Sequence, residues 1–273
     1  MIQLTNKAKR IFQMLTLCVL SFYTIFPIFD EKDLPIPFSF KIGRYKYAIH
    51  VFQISALSLC AWNLTSIDLL FVCLMGIAAA IIDILRRNIV NVVSDAKKLN
   101  NETFRNDRNS VPASKDITGL LKKCIMLHIA ILRYIKNIET IFSFSLLVHY
   151  ITAIILICSS LLQLTTLAGS YSMQFFLSCV FVIIVLLQSF LYHWFGNEVI
   201  IKSTKIGEAC YISQWYKCSV ETRKMLLMLM MGSQKPVGVT IYKFAMVSLA
   251  SYLVIVRWSY SFAALIRTKY ISE

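Results

Sequence analysis

Five long apolar stretches alternate with polar segments along the chain: Ile11 to Phe29, a stretch between Ala48 and Leu85, Ile138 to Leu164, Ser172 to Phe195, and Val237 to Ile266. A bilayer core about 30 Å thick is crossed by about 20 mostly apolar residues in a helix. Each stretch is long enough, so the pattern predicts an all-α, polytopic membrane helix bundle with five spans. The first stretch follows Lys7, Lys9 and Arg10 as a secretory leader would, but it ends in Phe26-Pro27-Ile28-Phe29 without a small-residue cleavage site. It is expected to be a retained span. The second stretch is too long for one crossing at 1.5 Å per residue, so it projects beyond the hydrocarbon or tilts. Asp68 lies inside it. A carboxylate there is costly against lipid. It makes a polar contact inside the bundle or sits near an interface, and the sequence leaves both open.

The polar segments decide orientation. Segments 1–10, 86–136 and 202–235 carry 20 Lys and Arg residues, against 6 in segments 30–47, 165–171 and 267–273. Basic residues concentrate on the cytoplasmic side. The N-terminus is therefore expected inside and the C-terminus outside. On this reading residues 30–47 form an external loop, extended at its centre by Pro35 and Pro37. Residues 86–136 form a cytoplasmic loop with a mobile middle, Asn100 to Ser110, between helical flanks that continue the second and third spans. The sequon Asn101-Glu102-Thr103 falls on the cytoplasmic side and is discounted. The expected organisation is a transmembrane region over 1–196, a cytoplasmic anchor segment over 197–236, and a final helix with a short external tail over 237–273.

Composition agrees with the bilayer reading. The chain is 58% hydrophobic and 15% charged, with a mean hydropathy of +0.66, whereas soluble domains are about 45–50% apolar and about 25% charged. The net charge of +14 would suit a nucleic-acid binder, but it lies between apolar runs, where membrane proteins keep it. The eight cysteines form no CxxC pair, and most sit in apolar runs as small hydrophobes. No metal or cofactor is expected. GxxxxGK[ST], HExxH and GxSxG are all missing, and the four histidines (His50, His128, His149, His193) make no close i, i+4 pair. An enzyme is not expected.

From Trp194 the chain reads WFGNEVIIKSTKIGEACYISQWYKCSVETRKMLLMLMMGSQKPV, and the last span ends SYSFAALIR. Gly196-Asn197-Glu198, Trp215-Tyr216, Gln234-Lys235-Pro236 and Ser259-Tyr260-Ser261-Phe262 occur in this order. Together they resemble the insect odorant receptor family. Leu34-Pro35-Ile36-Pro37-Phe38 and Ile82-Asp83-Ile84-Leu85 extend the likeness upstream and set the five spans in register with the family's helices three to seven. The equivalents of its first two helices are missing, as in an incomplete gene model, a splice form or a degenerate copy.

The resemblance implies an odorant-gated cation channel of four subunits in the plasma membrane of an olfactory sensory neuron, with a shared co-receptor as partner and no nucleic acid. A small, volatile, apolar ligand would sit among outer-half residues: Phe22, Tyr23 and Phe26; Phe52, Ser55 and Leu59; Phe175, Phe176 and Cys179. Each of these is also a plausible packing residue. Val220 to Met231 reads as a short amphipathic helix with Ser219 as its N-cap and Glu221 in its first turn. Trp215, Tyr216, Leu226, Leu227, Met230 and Met231 would then form a subunit interface. Pro236 breaks this helix from the last span. There Ser248, Tyr252, Ile255, Ser259, Ala263 and Ile266 recur at helical spacing, as a pore lining under the resemblance or as a helix-packing face otherwise. The alternatives are a non-conducting fragment that only assembles with partners, a gustatory-type receptor, and a membrane transporter. A transporter would show inverted repeats or paired broken helices, and neither is visible.

Overall fold

The computed structural model describes Arg10, Met14 and residues 46–106, 113–167 and 173–271. The first span, the loop through residue 45, and the ligand candidates Phe22, Tyr23 and Phe26 lie outside the described residues. What is described is almost wholly helical. Helix α1 covers Lys46–Asn106, α2 Ala113–Leu167 and α3 Met173–Ile212. A single 3-10 turn at Trp215–Lys217 leads into α4 (Val220–Gly232). Two short strands, β1 (Thr240–Ile241) and β2 (Ala245–Met246), precede the last helix, α5 (Leu249–Ile271).

The lengths follow from uninterrupted helix-compatible sequence. Helix α1 runs for 61 residues without a proline. At 1.5 Å per residue it reaches about 90 Å, three times the hydrocarbon thickness. Helix α2 has 55 residues and α3 has 40. The helical flanks expected beyond the second and third spans are present. Four described helices are long and apolar enough to cross a membrane: α1, α2, α3 and α5. Two expectations need correction. The segment expected to be a loop from Asn100 is helical to Asn106, because it contains no proline or glycine to stop a helix already running. The last span does not begin at Val237. Residues 237–248 hold the β-hairpin, and helix resumes only at Leu249.

The chain divides into two compact units. Of the described residues, one takes 74–147 and 193–251, the other 46–73, 148–192 and 252–271. In the first, Lys202 Nζ donates to Asp83 Oδ2 at 2.6 Å and lies 3.6 Å from Glu198 one turn away. Thr118 and Thr222 share a hydroxyl contact of 3.2 Å beside a small core of Val92 and Cys218. The hairpin is antiparallel, with Thr240 opposite Met246 and Ile241 opposite Ala245. Tyr242 and Lys243 turn it with left-handed φ values of 47° and 61°, in a three-residue connection where Phe244 N donates to Ile241 O at 2.8 Å. The hydroxyl of Thr240 donates to the Glu139 carboxylate. Two glycines allow close approach. A Cβ on Gly196 would lie 2.4 Å from the Val247 carbonyl oxygen, and one on Gly238 2.7 Å from the Ile200 side chain.

In the second unit Ala153, Ile157, Val185 and Ile255 form a buried core from α2, α3 and α5. Phe190 meets Tyr252 edge-on at 5.7 Å. Ser259 donates back to Ile255 O at 2.8 Å and reaches Ile154 O at 3.4 Å.

Candidate functional site

Within the second unit, a polar cluster gathers around Asp68 of α1. Gln188 and Tyr192 sit one turn apart on α3, so both point to one side. The Gln188 amide donates to Asp68 Oδ2, and the Tyr192 hydroxyl donates to Asp68 Oδ1. The Asp68 carboxylate is 8% exposed. The Tyr192 ring lies near-parallel between Phe71 at 5.1 Å and His149 at 4.6 Å. Of the two possibilities for Asp68, the contact inside the bundle is the one realised. A buried carboxylate is tolerated where both oxygens accept hydrogen bonds. His149 Nε2 is buried and has no hydrogen-bond partner. The sequence marks Asp68 but gives no sign of Gln188 or Tyr192, which lie 120 and 124 residues further along the chain.

The first unit carries an apolar surface built around α4. Ser219 caps this helix as expected, its Oγ accepting from Thr222 N, with Glu221 in the first turn. Arg223 reaches back along the helix. Its Nε donates to Cys218 O at 2.9 Å and a terminal nitrogen to Tyr216 O at 2.9 Å. Those bonds hold the Trp215–Lys217 turn against α4, with Trp215 and Tyr216 edge to face at 6.4 Å. Cys218 is buried, which pushes its thiol up from the ordinary value, and Arg223 draws it partly back. Beside α4 lies a groove of about 360 Å³ lined by Tyr211, Trp215, Val220, Lys224, Leu227 and neighbours.

The structure sorts the expected interface residues. Trp215, Tyr216, Leu227 and Met231 are exposed, and Met230 is half-buried. Leu226, at 3% exposure, is buried along with Thr222 and Leu229 and still lines the groove. The outward residues that the sequence reading missed are Val220 and Met228, the latter 73% exposed. A seven-residue run of Leu and Met (225–231) shows little polar contrast, so its outward face was hard to see.

The residues expected to line a pore are sorted in the same way. Tyr252, Ile255, Ser259 and Ala263 do share a face of α5, but Ile255 and Ser259 are fully buried and Ala263 nearly so. They pack against α2 and α3 as a helix-packing face. Of the expected set, Ser248 is half-buried and Ile266 is exposed. Among the ligand candidates, Phe52, Leu59 and Phe176 point outward, while Phe175 and Cys179 are half-buried. Ser55 donates to Phe52 O at 2.8 Å, a local bond within α1.

Similar proteins agree with this architecture. The chain is 33% identical over 146 residues to odorant receptor 67c of Drosophila melanogaster, a match covering 54% of this chain and 35% of that receptor. It is 24% identical over 216 residues to Drosophila odorant receptor 22c, covering 79% and 50%. The chain thus spans between a third and a half of these relatives. The fold matches the olfactory receptor OR5 of the insect Machilis hrabei in complex with eugenol, with a TM-score of 0.80 at 15% identity, covering 98% of this chain and 67% of that one. A second structure of OR5 from Machilis hrabei gives a TM-score of 0.79 at 15% identity, covering 97% of this chain and 66% of that one. The profile of the family described as "7tm Odorant receptor" matches residues 2–260, and the chain is therefore a multi-pass membrane protein of the insect odorant receptor family.

Proposed function

We propose that this chain is a subunit of an odorant-gated cation channel. It binds a small volatile molecule within its helices and opens a pore together with a shared co-receptor in the plasma membrane of an olfactory sensory neuron. The excess of Lys and Arg in segments 1–10, 86–136 and 202–235 supports a cytoplasmic N-terminus and an external C-terminus. Eugenol, which the Machilis hrabei relative binds, suggests the ligand class: a small, mostly apolar ring compound with one or two hydroxyl or ether groups.

One observation carries the reading: the outward face of Val220, Leu227, Met228 and Met231 beside the groove at α4. An apolar surface of this kind on a folded unit is a place for another protein to bind. Trp and Tyr on its rim are the residue types that dominate interface energetics. The final helix would line the pore with the side opposite its buried face, where Ala250, Ser261, Ala264 and Thr268 lie exposed.

The test is co-expression of the full chain with an insect odorant co-receptor. Odorant-evoked current and co-purification are both expected. The triple substitution Leu227→Ser, Met228→Ser, Met231→Ser should abolish co-purification while the chain alone still folds. Absence of current for every volatile in a broad panel, with the protein at the cell surface, would refute channel function. Co-purification without current would leave the chain with an assembly role alone.

A further inference from the structure

A second groove in the first unit has a different chemistry. It measures about 250 Å³ and lies between α1 and α3. Arg86 and Arg87 line it from α1 and Lys205 and Glu208 from α3, above a floor that includes Val90 and Ala209. Three cations thus face one carboxylate. Their neighbours use charge differently. Lys202, less than one turn before Lys205, is spent on Asp83 and Glu198. Asp83 stands four residues before Arg87, the spacing at which a helix normally pairs them, yet it bonds to Lys202 instead. Among the described residues no ion pair engages Arg86, Arg87, Lys205 or Glu208. The fold therefore keeps two arginines and a lysine around one concavity with a single carboxylate beside them, an excess of positive charge that an anion would stabilise.

Two arginines and a lysine suit phosphate better than a lone carboxylate. Guanidinium groups bind phosphate oxygens bidentately, and the lysine adds a point charge. The small apolar floor leaves room for a ring or glycerol backbone beside the phosphates. We infer that this groove binds a multiply charged inositol phosphate headgroup between Arg86 and Arg87 of α1 and Lys205 of α3. The same headgroup reaches the chain from two sources, a phosphoinositide lipid or a soluble inositol phosphate. Neither odorant nor co-receptor is needed for this binding, so it stands apart from the channel reading.

The experiment uses the full chain in nanodiscs. In phosphatidylcholine discs, soluble inositol 1,4,5-trisphosphate is titrated and binding read by thermophoresis. In a second arm the discs carry phosphatidylinositol 4,5-bisphosphate, and stabilisation is read as a rise in unfolding temperature over phosphatidylcholine alone. Saturable binding in at least one arm is expected, and the responding arm identifies the source. Arg86→Gln with Arg87→Gln should weaken it at least tenfold, and Lys205→Gln severalfold. Glu208→Gln should tighten it severalfold, since it removes the one opposing charge. That last variant gains rather than loses binding, so misfolding cannot imitate the expected result. No binding in either arm overturns the proposal, as does an unchanged affinity in the double arginine variant or a weakened one in Glu208→Gln.

Discussion

The Asp68 cluster allows a sharp energetic prediction. Tyr192→Phe removes one hydroxyl and leaves the ring between Phe71 and His149, so the packing is preserved and only the hydrogen bond to Asp68 is lost. Hydrogen bonds between membrane helices average about 0.6 kcal/mol and reach about 1.7, while bonds to charged groups are worth about 1.5–3 kcal/mol. The acceptor here is a carboxylate shielded from solvent on nearly every side, so the loss is expected at about 1.5 kcal/mol or more. For a chain of this size that is a fall of roughly 3–6 °C in the unfolding midpoint. Thermal unfolding in detergent, followed by size-exclusion fluorescence, reads it directly. The decisive form is a double-mutant cycle with Asp68→Ala, which removes the acceptor and so isolates the pairwise term. A coupling below about 0.5 kcal/mol would mean that the hydroxyl and the carboxylate do not depend on each other, and the account of how Asp68 is accommodated would fall.

Other expectations are quicker to check. Gly196→Ala drives a methyl group into the Val247 carbonyl and should cost about 1–3 kcal/mol as overpacking. Gly119→Ala, with nothing within 4 Å, should gain about 0.5–1 kcal/mol in mid-helix; equal stability of the two variants would contradict the close approach. Lys202→Met strands Asp83 and Glu198 and should cost about 1–2 kcal/mol, between an exposed pair and a buried one, seen as a lower unfolding temperature. Cys218 should resist maleimide at neutral pH in the folded chain and react once the chain is unfolded. Because its thiol is raised above the ordinary 9.0, its contribution to stability is present below that pH and shrinks as pH climbs past it, when only the unfolded chain ionises. A pH scan comparing the wild-type chain with Cys218→Ala checks the sign.

What could be read in the sequence was what depends on near neighbours. Ser219 could be assigned as a cap because capping needs only a hydroxyl three residues before a free backbone amide. The spacing of Tyr252, Ile255, Ser259 and Ala263 correctly marked one face of α5. Spacing cannot say what a face meets, and the neighbour proved to be Ala153, Ile157 and Val185 rather than water. Residues 237–248 misled for a related reason. Val237, Val239, Ile241 and Phe244 are apolar enough to extend a span, but Tyr242 and Lys243 take left-handed backbone that no helix accommodates, and hydropathy is blind to it. The partners of Asp68 lie 120 and 124 residues away, and no local pattern points to them.

The bare methionine-rich flank of α4 has a consequence for the cell. A polypeptide with such an oily side cannot safely accumulate ahead of whatever covers it, since unescorted copies would cling to one another or to chaperones. Under the proposed assembly, synthesis of this chain would need to be matched to the supply of the co-receptor, and surplus copies would be cleared before reaching the cell surface.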